Sequence, residues 1–219
     1  MVIQNRINLT DMSTLIYHMT HIANVESILR EGRIYCDAVA ERLLRPRSIA
    51  YGHLKALRAS KQVPVPPYGT LADYVPFYFA PRSPMLFAIQ RGYVNSSLAQ
   101  HEIVYIVSTV EMVQQHGKPF VFTDGHPLSE ITCFSNNLAE LDEFVDWEVM
   151  RSPYWYDCAE YPDRKRKRQA EFLVHAELEC ALIVRIGVYN PRIQQEVAEI
   201  VRKISPHPIP VEAHRDWYY

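Results

Sequence analysis

Asp163-Arg-Lys-Arg-Lys-Arg-Gln-Ala-Glu-Phe-Leu-Val-His175 is the stretch on which the reading of this 219-residue chain turns. Its second half alternates with the period of a strand: Ala170, Phe172 and Val174 share one face, and Gln169, Glu171 and Leu173 share the other. A strand is therefore expected over 169–175, with Glu171 outside the apolar row and turned into a groove or solvent. Five consecutive cations, Arg164 to Arg168, lie ahead of it. A carboxylate so placed can orient a ribose hydroxyl, stabilise positive character or take a proton, the tasks that arise when a glycosidic bond breaks through an oxocarbenium-like state. The cations would draw in phosphates. The plainer reading of the same residues is a solvated strand position beside a surface or localisation-type basic run.

Upstream, Tyr74-Val-Pro-Phe-Tyr-Phe-Ala-Pro-Arg-Ser-Pro-Met85 packs aromatic rings, three prolines and an arginine into twelve residues. Stiff segments rich in Tyr and Phe make platforms for flat rings, and Arg82 is suited to pair with phosphate or to stack. An edge strand entering a proline-bounded turn is the alternative. Further upstream, Tyr17-His18-Met-Thr20-His21-Ile-Ala-Asn24 gathers aromatic, imidazole, hydroxyl and amide groups at a strand-to-helix junction. A helix start offers unpaired N–H groups to anions, so the cluster suits a nucleotide.

The elements between are read as strands near 15–19, 77–79, 102–108, 120–122, 169–175 and 181–188. Helices are expected near 21–30 with Thr20 as N-cap and Gly32 as its stop, 49–60, 84–91 and 192–203. A further short helix is expected before Gly117. This irregular mixture lacks a glycine-rich turn after the first strand, which argues against a dinucleotide-binding Rossmann domain.

The 23 Lys and Arg against 25 Asp and Glu, with 48% apolar residues, fit one compact domain over 1–219 and fit neither disorder nor two full-sized domains. A net charge of −2 excludes wholesale polyanion binding, so any nucleic-acid site must be local. Charge is uneven: residues 30–61 hold eight cations against three acids, whereas 139–163 hold eight acids and one cation, Arg151. An electropositive patch on an acidic body is expected. Cys36, Cys133, Cys158 and Cys180 show no CxxC and no zinc spacing, so reduced thiols and no metal are expected. The first eighteen residues carry no leader pattern. Apolar runs such as Ile103-Val-Tyr-Ile-Val107 fall far short of the roughly 20 residues of a membrane span, so a cytoplasmic protein without a membrane partner is expected.

Taken in order, four strings resemble the DarT family, bacterial toxins that use NAD to ADP-ribosylate bases of single-stranded DNA. They are Tyr17-His18-x-Thr20…Asn24…Ile28-Leu29-x-x-Gly32, Asp73-Tyr-Val-Pro-Phe-Tyr-Phe-x-Pro-Arg-Ser-Pro-Met85, Thr123-Asp-Gly-His126 and Arg168-Gln-Ala-Glu-Phe-Leu-Val174. The resemblance implies an α+β, ADP-ribosyltransferase-like fold, a split mixed β-core flanked by helices, with NAD consumed as a substrate in the cleft between two small sheets. It implies catalytic roles for Glu171 and Arg58, and NAD contacts from Tyr17, His18, Thr20, Asn24 and Tyr78. Together with the basic and aromatic segments it assigns single-stranded DNA to Tyr74, Phe77, Arg82, His126, Arg164, Arg166 and Arg168. It further implies a cognate macrodomain antitoxin that removes ADP-ribose from DNA.

Thymidine is the favoured target and guanosine the alternative. Two other readings stay open at this level: an NAD-dependent RNA 2′-phosphotransferase, and a non-catalytic single-strand-binding module. The Arg…Ser-Thr-Ser…Glu-x-Glu pattern of many protein-modifying toxins is absent, and Gln169 stands two residues before Glu171, which disfavours arginine-directed protein modification.

Overall fold

The computed structural model describes residues 13–94 and 97–219; residues 1–12, read above for a leader, lie outside them. Strand β1 (Leu15–His21) runs through a 3-10 turn into α1 (Val25–Glu31). The cap of that turn is His21, whose Nδ1 accepts the Ala23 N–H at 2.9 Å, where Thr20 was expected; Thr20 still belongs to the strand. Gly32 ends α1 at φ 68°, a left-handed conformation that glycine adopts without penalty. There follow β2 (Arg33–Tyr35), α2 (Asp37–Leu43) and the basic helix α3 (Gly52–Ser60), then β3 (Tyr74–Tyr78) and α4 (Pro84–Gln90). Ser83 caps α4 by accepting the Leu86 N–H, and Pro84 occupies a first turn that needs no donor.

The middle of the chain carries β4 (Ile103–Thr109), α5 (Val110–Gln115), β5 (Phe120–Thr123) and β6 (Phe134–Ser135). Three short helices come next: α6 (Leu141–Phe144), α7 (Trp147–Arg151) and α8 (Arg164–Lys167). The end is built from β7 (Glu171–His175), β8 (Glu177–Glu179), β9 (Arg185–Val188), α9 (Pro191–Ile204) and β10 (Val211–Ala213). β7 begins two residues later than alternation suggests, because Arg164–Lys167 coil and Arg168 with Gln169 complete the turn.

The strand order β10-β9-β4-β1-β3-β7-β5-β6 hides a division. On one side β1 pairs with β4 along its full length, from Leu15↔Thr109 to His21↔Ile103. On the other, β3 pairs with β7 from Tyr74↔His175 to Tyr78↔Glu171. Between these halves β1 and β3 share one register pair, Tyr17↔Tyr78. All pairings in this sheet are antiparallel except β9 with β10, so the core is mixed. A separate two-stranded sheet joins β2 to β8; its three-residue strands carry too little alternation to be legible in sequence.

β4 is buried at every residue, with one face in a core of Ile16, Phe77, Val104, Ile106 and Phe172 and the other against Tyr17, Leu86, Trp217 and Tyr218. A third cluster, Val63, Leu71, Tyr74, Val121 and Leu173, packs on the face of β7 that Glu171 shares. Tyr74 and Phe77 are 1% and 0% exposed. They are core residues, and the expectation that they stack DNA bases is corrected accordingly.

Arg168 also departs from expectation. It is 5% exposed and donates to the carbonyls of Val149, Met150, Ser152 and Pro81 at 2.6–3.0 Å. It thus satisfies the open carbonyl end of α7 and ties it to the turn after β3. With its guanidinium enclosed in this way, it is a clamp and has no access to a phosphate. Arg168→Ala leaves these acceptors without their donor at about 1 kcal/mol or more each, so we expect a loss of at least about 3 kcal/mol in urea unfolding.

Candidate active site

The cleft opens where β1 and β3 part. Pro76 has no N–H with which to extend the ladder, and its carbonyl is met by a side chain. His18 on β1 donates from Nδ1 to the Pro76 carbonyl at 2.9 Å. Because a carbonyl only accepts, the bond fixes the Nδ1–H tautomer and leaves Nε2 as an acceptor. Burial lowers the His18 pKa, which keeps the ring neutral. The sheet therefore separates around a neutral imidazole that β1 supplies and the Pro76 carbonyl of β3 holds.

The opened cleft encloses about 1030 Å³, including space open to solvent, and His18, Thr20, Asn24, Arg58, Tyr78 and Glu171 all line it.

Glu171 lies at its floor, 3% exposed, as the first residue of β7 and the register partner of Tyr78. Arg58, from the last turn of α3, grips it in a bidentate fork: Nη1 reaches both carboxylate oxygens at 3.1 and 3.0 Å, and Nη2 reaches Oε2 at 3.0 Å. Burial pushes the Glu171 pKa above the usual 4.5, and the Arg58 guanidinium pulls against that shift. The result is a carboxyl that is enclosed yet bonded, with a pKa above the usual glutamate value.

The walls were less legible. Arg47 and Lys55 bring two further cations to the cleft, and Asp37 and Met85 also line it. Lys55 is bonded to Glu41 at 2.9 Å and lies 3.5 Å from Asp37. Lys55 and Arg58 stand at i and i+3 on α3, the spacing that puts two side chains on one helix face, and that signal was available. Arg47 had none: it is brought in by Asn24, whose Oδ1 accepts the Arg47 N–H and whose Nδ2 donates to the Arg47 carbonyl, both at 2.9 Å. Nδ2 also donates to Thr20 Oγ1. The Asn24 amide is thus committed to pinning the loop over 44–51 that walls the cleft.

Tyr17 does not reach this cleft. Strand alternation turns it to the opposite face from His18, where its ring meets Trp217 at 5.2 Å and Tyr105 at 6.2 Å. The expected NAD contact from Tyr17 is corrected on that ground. Tyr78 does line the cleft, its hydroxyl donating to Met85 Sδ and its pKa raised by burial and then by the Glu171 charge. His126 is held by its own backbone, with Nδ1 accepting the Leu128 N–H at 3.2 Å. Burial first, then Arg58 and Lys165, push its pKa down to about 4, so at neutral pH the ring is uncharged and Nε2 carries the proton. Arg82 sits at φ 56° with its guanidinium 4.7 Å over the Tyr219 ring, and Arg164 lies 4.2 Å over Tyr161.

The run over 164–168 is not the free patch its composition suggests. Arg166 is paired with Asp163 and Asp124, and Lys167 with Asp146, so much of the basic charge is spent on the acidic segment before it. Among the described residues no group of three or more His, Cys, Asp or Glu is placed to hold a metal ion, and no helix is long and apolar enough to cross a membrane.

The neutral histidine of β1 and the arginine-bound glutamate of β7 thus flank β3 at the split in the sheet, and this accords with the ADP-ribosyltransferase class that the four sequence strings imply. Comparison with known proteins narrows the class. The chain belongs to the DarT family: the family model described as "ssDNA thymidine ADP-ribosyltransferase, DarT" matches residues 17–219. A DNA ADP-ribosyl transferase of Thermus sp. (strain 2.9) is 43% identical over 207 residues, 94% of this chain and 96% of that protein. One of Escherichia coli O127:H6 is 32% identical over 215 residues, 97% of this chain and 96% of that protein. Among solved structures, Thermus sp. 2.9 DarT in complex with ADP-ribosylated ssDNA matches with a TM-score of 0.87 at 41% identity, covering 94% of this chain and 97% of that one. The same protein in complex with NAD+ matches at 0.85 and 40%, covering 95% and 98%.

Proposed function

We propose that this chain transfers the ADP-ribosyl group of NAD+ to thymidine in single-stranded DNA, with Glu171 and Arg58 at the reacting centre. The observation that carries the reading is the buried, arginine-forked carboxylate at the floor of the cleft in the split sheet. Thymidine is preferred to guanosine because the matching family is described by that base.

In the overall exchange the bond from the ribose C1″ to nicotinamide breaks as a bond from C1″ to the thymine N3 forms. Nicotinamide departs neutral with the electron pair, and the N3 proton is taken by the protein. His18 offers Nε2 as an acceptor to a ribose hydroxyl or amide N–H, held in aim by its bond to Pro76. Arg47, 3.8 Å from Glu102, supplies positive charge along the cleft for a diphosphate, and Lys55 joins it by exchanging its Asp37 and Glu41 contacts for phosphate oxygens. Glu171 takes the N3 proton or orients the ribose. Thymine N3–H is weakly acidic, near the lysine range, so deprotonation needs a nearby base, and the Arg58 guanidinium offsets the negative charge that develops. On the DNA side we assign His126, Arg82 and Arg164, whose fixed rings and guanidiniums suit base and phosphate contacts.

A cytoplasmic location and restraint by a macrodomain antitoxin belong to the same proposal. The solved structure of Thermosipho africanus DarTG in complex with ADP-ribose has the same fold, with a TM-score of 0.72 at 23% identity. This chain covers 51% of that longer one.

The direct test is mass spectrometry of oligonucleotides after incubation with NAD+. A strand lacking guanine but containing thymine should gain one ADP-ribose, and a strand lacking thymine should gain none. The reverse pattern would assign guanosine, and nicotinamide release without any adduct would leave only hydrolysis.

A further inference from the structure

The Thr123-Asp-Gly-His126 string leads from the end of β5 into the turn that presents His126, and one hydroxyl joins that turn to the glutamate strand. Thr123 is fully buried; its Oγ1 donates to the Gly125 carbonyl at 2.7 Å and accepts the backbone N–H of Glu171 at 2.9 Å. The two bonds leave the hydroxyl with its donor spent and one lone pair used, so the turn and the first residue of β7 share a single rigid joint.

The far side of the turn is held by Arg166. Its Nη1 donates to Asp124 Oδ1 at 3.0 Å and to Thr132 Oγ1 at 3.1 Å, while Nε and Nη2 are tied to Asp163 at 2.6–2.9 Å. Its carbonyl accepts the His126 N–H at 2.9 Å, and Thr132 Oγ1 donates to the His126 carbonyl at 2.8 Å. The fit around Gly125 is closed: a Cβ there would stand 2.3 Å from Arg166 Nη1. Both backbone polar groups of His126 are thereby fixed, and its ring is fixed by Leu128. Arg166, expected to contact DNA, has every donor nitrogen engaged within the protein.

We propose that Thr123 and Arg166 are positioning residues for the acceptor base, making the His126 turn and the Glu171 strand one rigid body so that base and carboxylate meet in fixed register. The inference rests on the transferase reading above. It assigns the Thr123 and Arg166 side chains no contact with substrate: NAD+ binding in the split between β1 and β3 uses neither, whereas delivery of the thymine depends on both.

The test separates NAD+ affinity, measured calorimetrically without DNA, from kcat and KM for a thymidine oligonucleotide at saturating NAD+. For Thr123→Val and Arg166→Gln we expect kcat/KM for the oligonucleotide to fall at least about tenfold, with the Kd for NAD+ within about twofold of wild type. Thr123→Ser, which restores the hydroxyl, should recover to within about threefold of wild type. Unchanged oligonucleotide kinetics in Thr123→Val would overturn the inference. So would NAD+ affinity falling in step with transfer, or failure of Thr123→Ser to recover, since either marks general damage. If Thr123→Val does not fold, Arg166→Gln decides by the same two readouts. Absence of transfer by the wild-type protein itself would overturn the functional reading as well.

Discussion

Glu171→Gln lowers the rate of ADP-ribosyl transfer to a thymidine oligonucleotide by about 10²–10⁴-fold, the contribution a positioned general base ordinarily makes. The substitution preserves shape and volume and removes the proton acceptor. Glu171 is 3% exposed and lines the cleft, and a glutamine amide there offers no base of comparable strength. The loss should fall on kcat, with the KM for NAD+ changed little, because the cations and His18 that line the rest of the cleft are untouched. Single-turnover measurements of adduct formation at saturating NAD+ and DNA check this. A variant that transfers within a few-fold of wild type would remove Glu171 from the chemistry.

Arg58→Ala produces the second large effect, and it has a pH signature. The fork to both carboxylate oxygens opposes the upward shift that burial gives the Glu171 carboxyl. Breaking a buried pair costs about 3–5 kcal/mol if the remaining charge persists, so the carboxyl takes up a proton instead. We expect transfer at neutral pH to fall by about 10²-fold or more, since base and stabilising cation are lost together. In the wild type the acidic limb of kcat/KM should already lie above the 4.5 of an ordinary glutamate, because burial raises the folded value. In Arg58→Ala that limb should move to still higher pH.

Stability follows the same linkage. A carboxyl whose folded pKa is raised binds its proton more tightly in the native state. Its contribution is fully present below 4.5 and is lost as pH rises through the folded value. Urea midpoints should reveal that decline, extended upward in Arg58→Ala. An acidic limb that does not move on loss of Arg58 would contradict the pairing.

What the sequence made legible was local. Alternation over 170–174 separated Phe172 and Val174 from Glu171, Gly32 marked the end of the first helix, and Pro84 marked the start of α4, because each depends on neighbours within a few residues. The site depends on distant ones. Arg58 and Glu171 lie 113 residues apart, and the Asn24 bonds to Arg47 cross 23, so their geometry exists only once the sheet has formed. The misreadings share one cause. Tyr74, Phe77, Arg166 and Arg168 have the right chemistry for DNA, but the fold consumes that chemistry in a core, a staple and a clamp. Composition records which groups a segment owns; burial decides which remain available. Tyr17 is a different case, since the same alternation that exposed Glu171 places it opposite His18.

The most direct measurement is a crystal structure with NAD+ bound. The nicotinamide riboside should lie between β1 and β3, with His18 Nε2 and the Glu171 carboxylate both turned toward the ribose whose bond is broken. A dinucleotide seated elsewhere, or a ribose carbon remote from Glu171 and walled off by Arg58, would contradict the assignment of this cleft as the reacting centre.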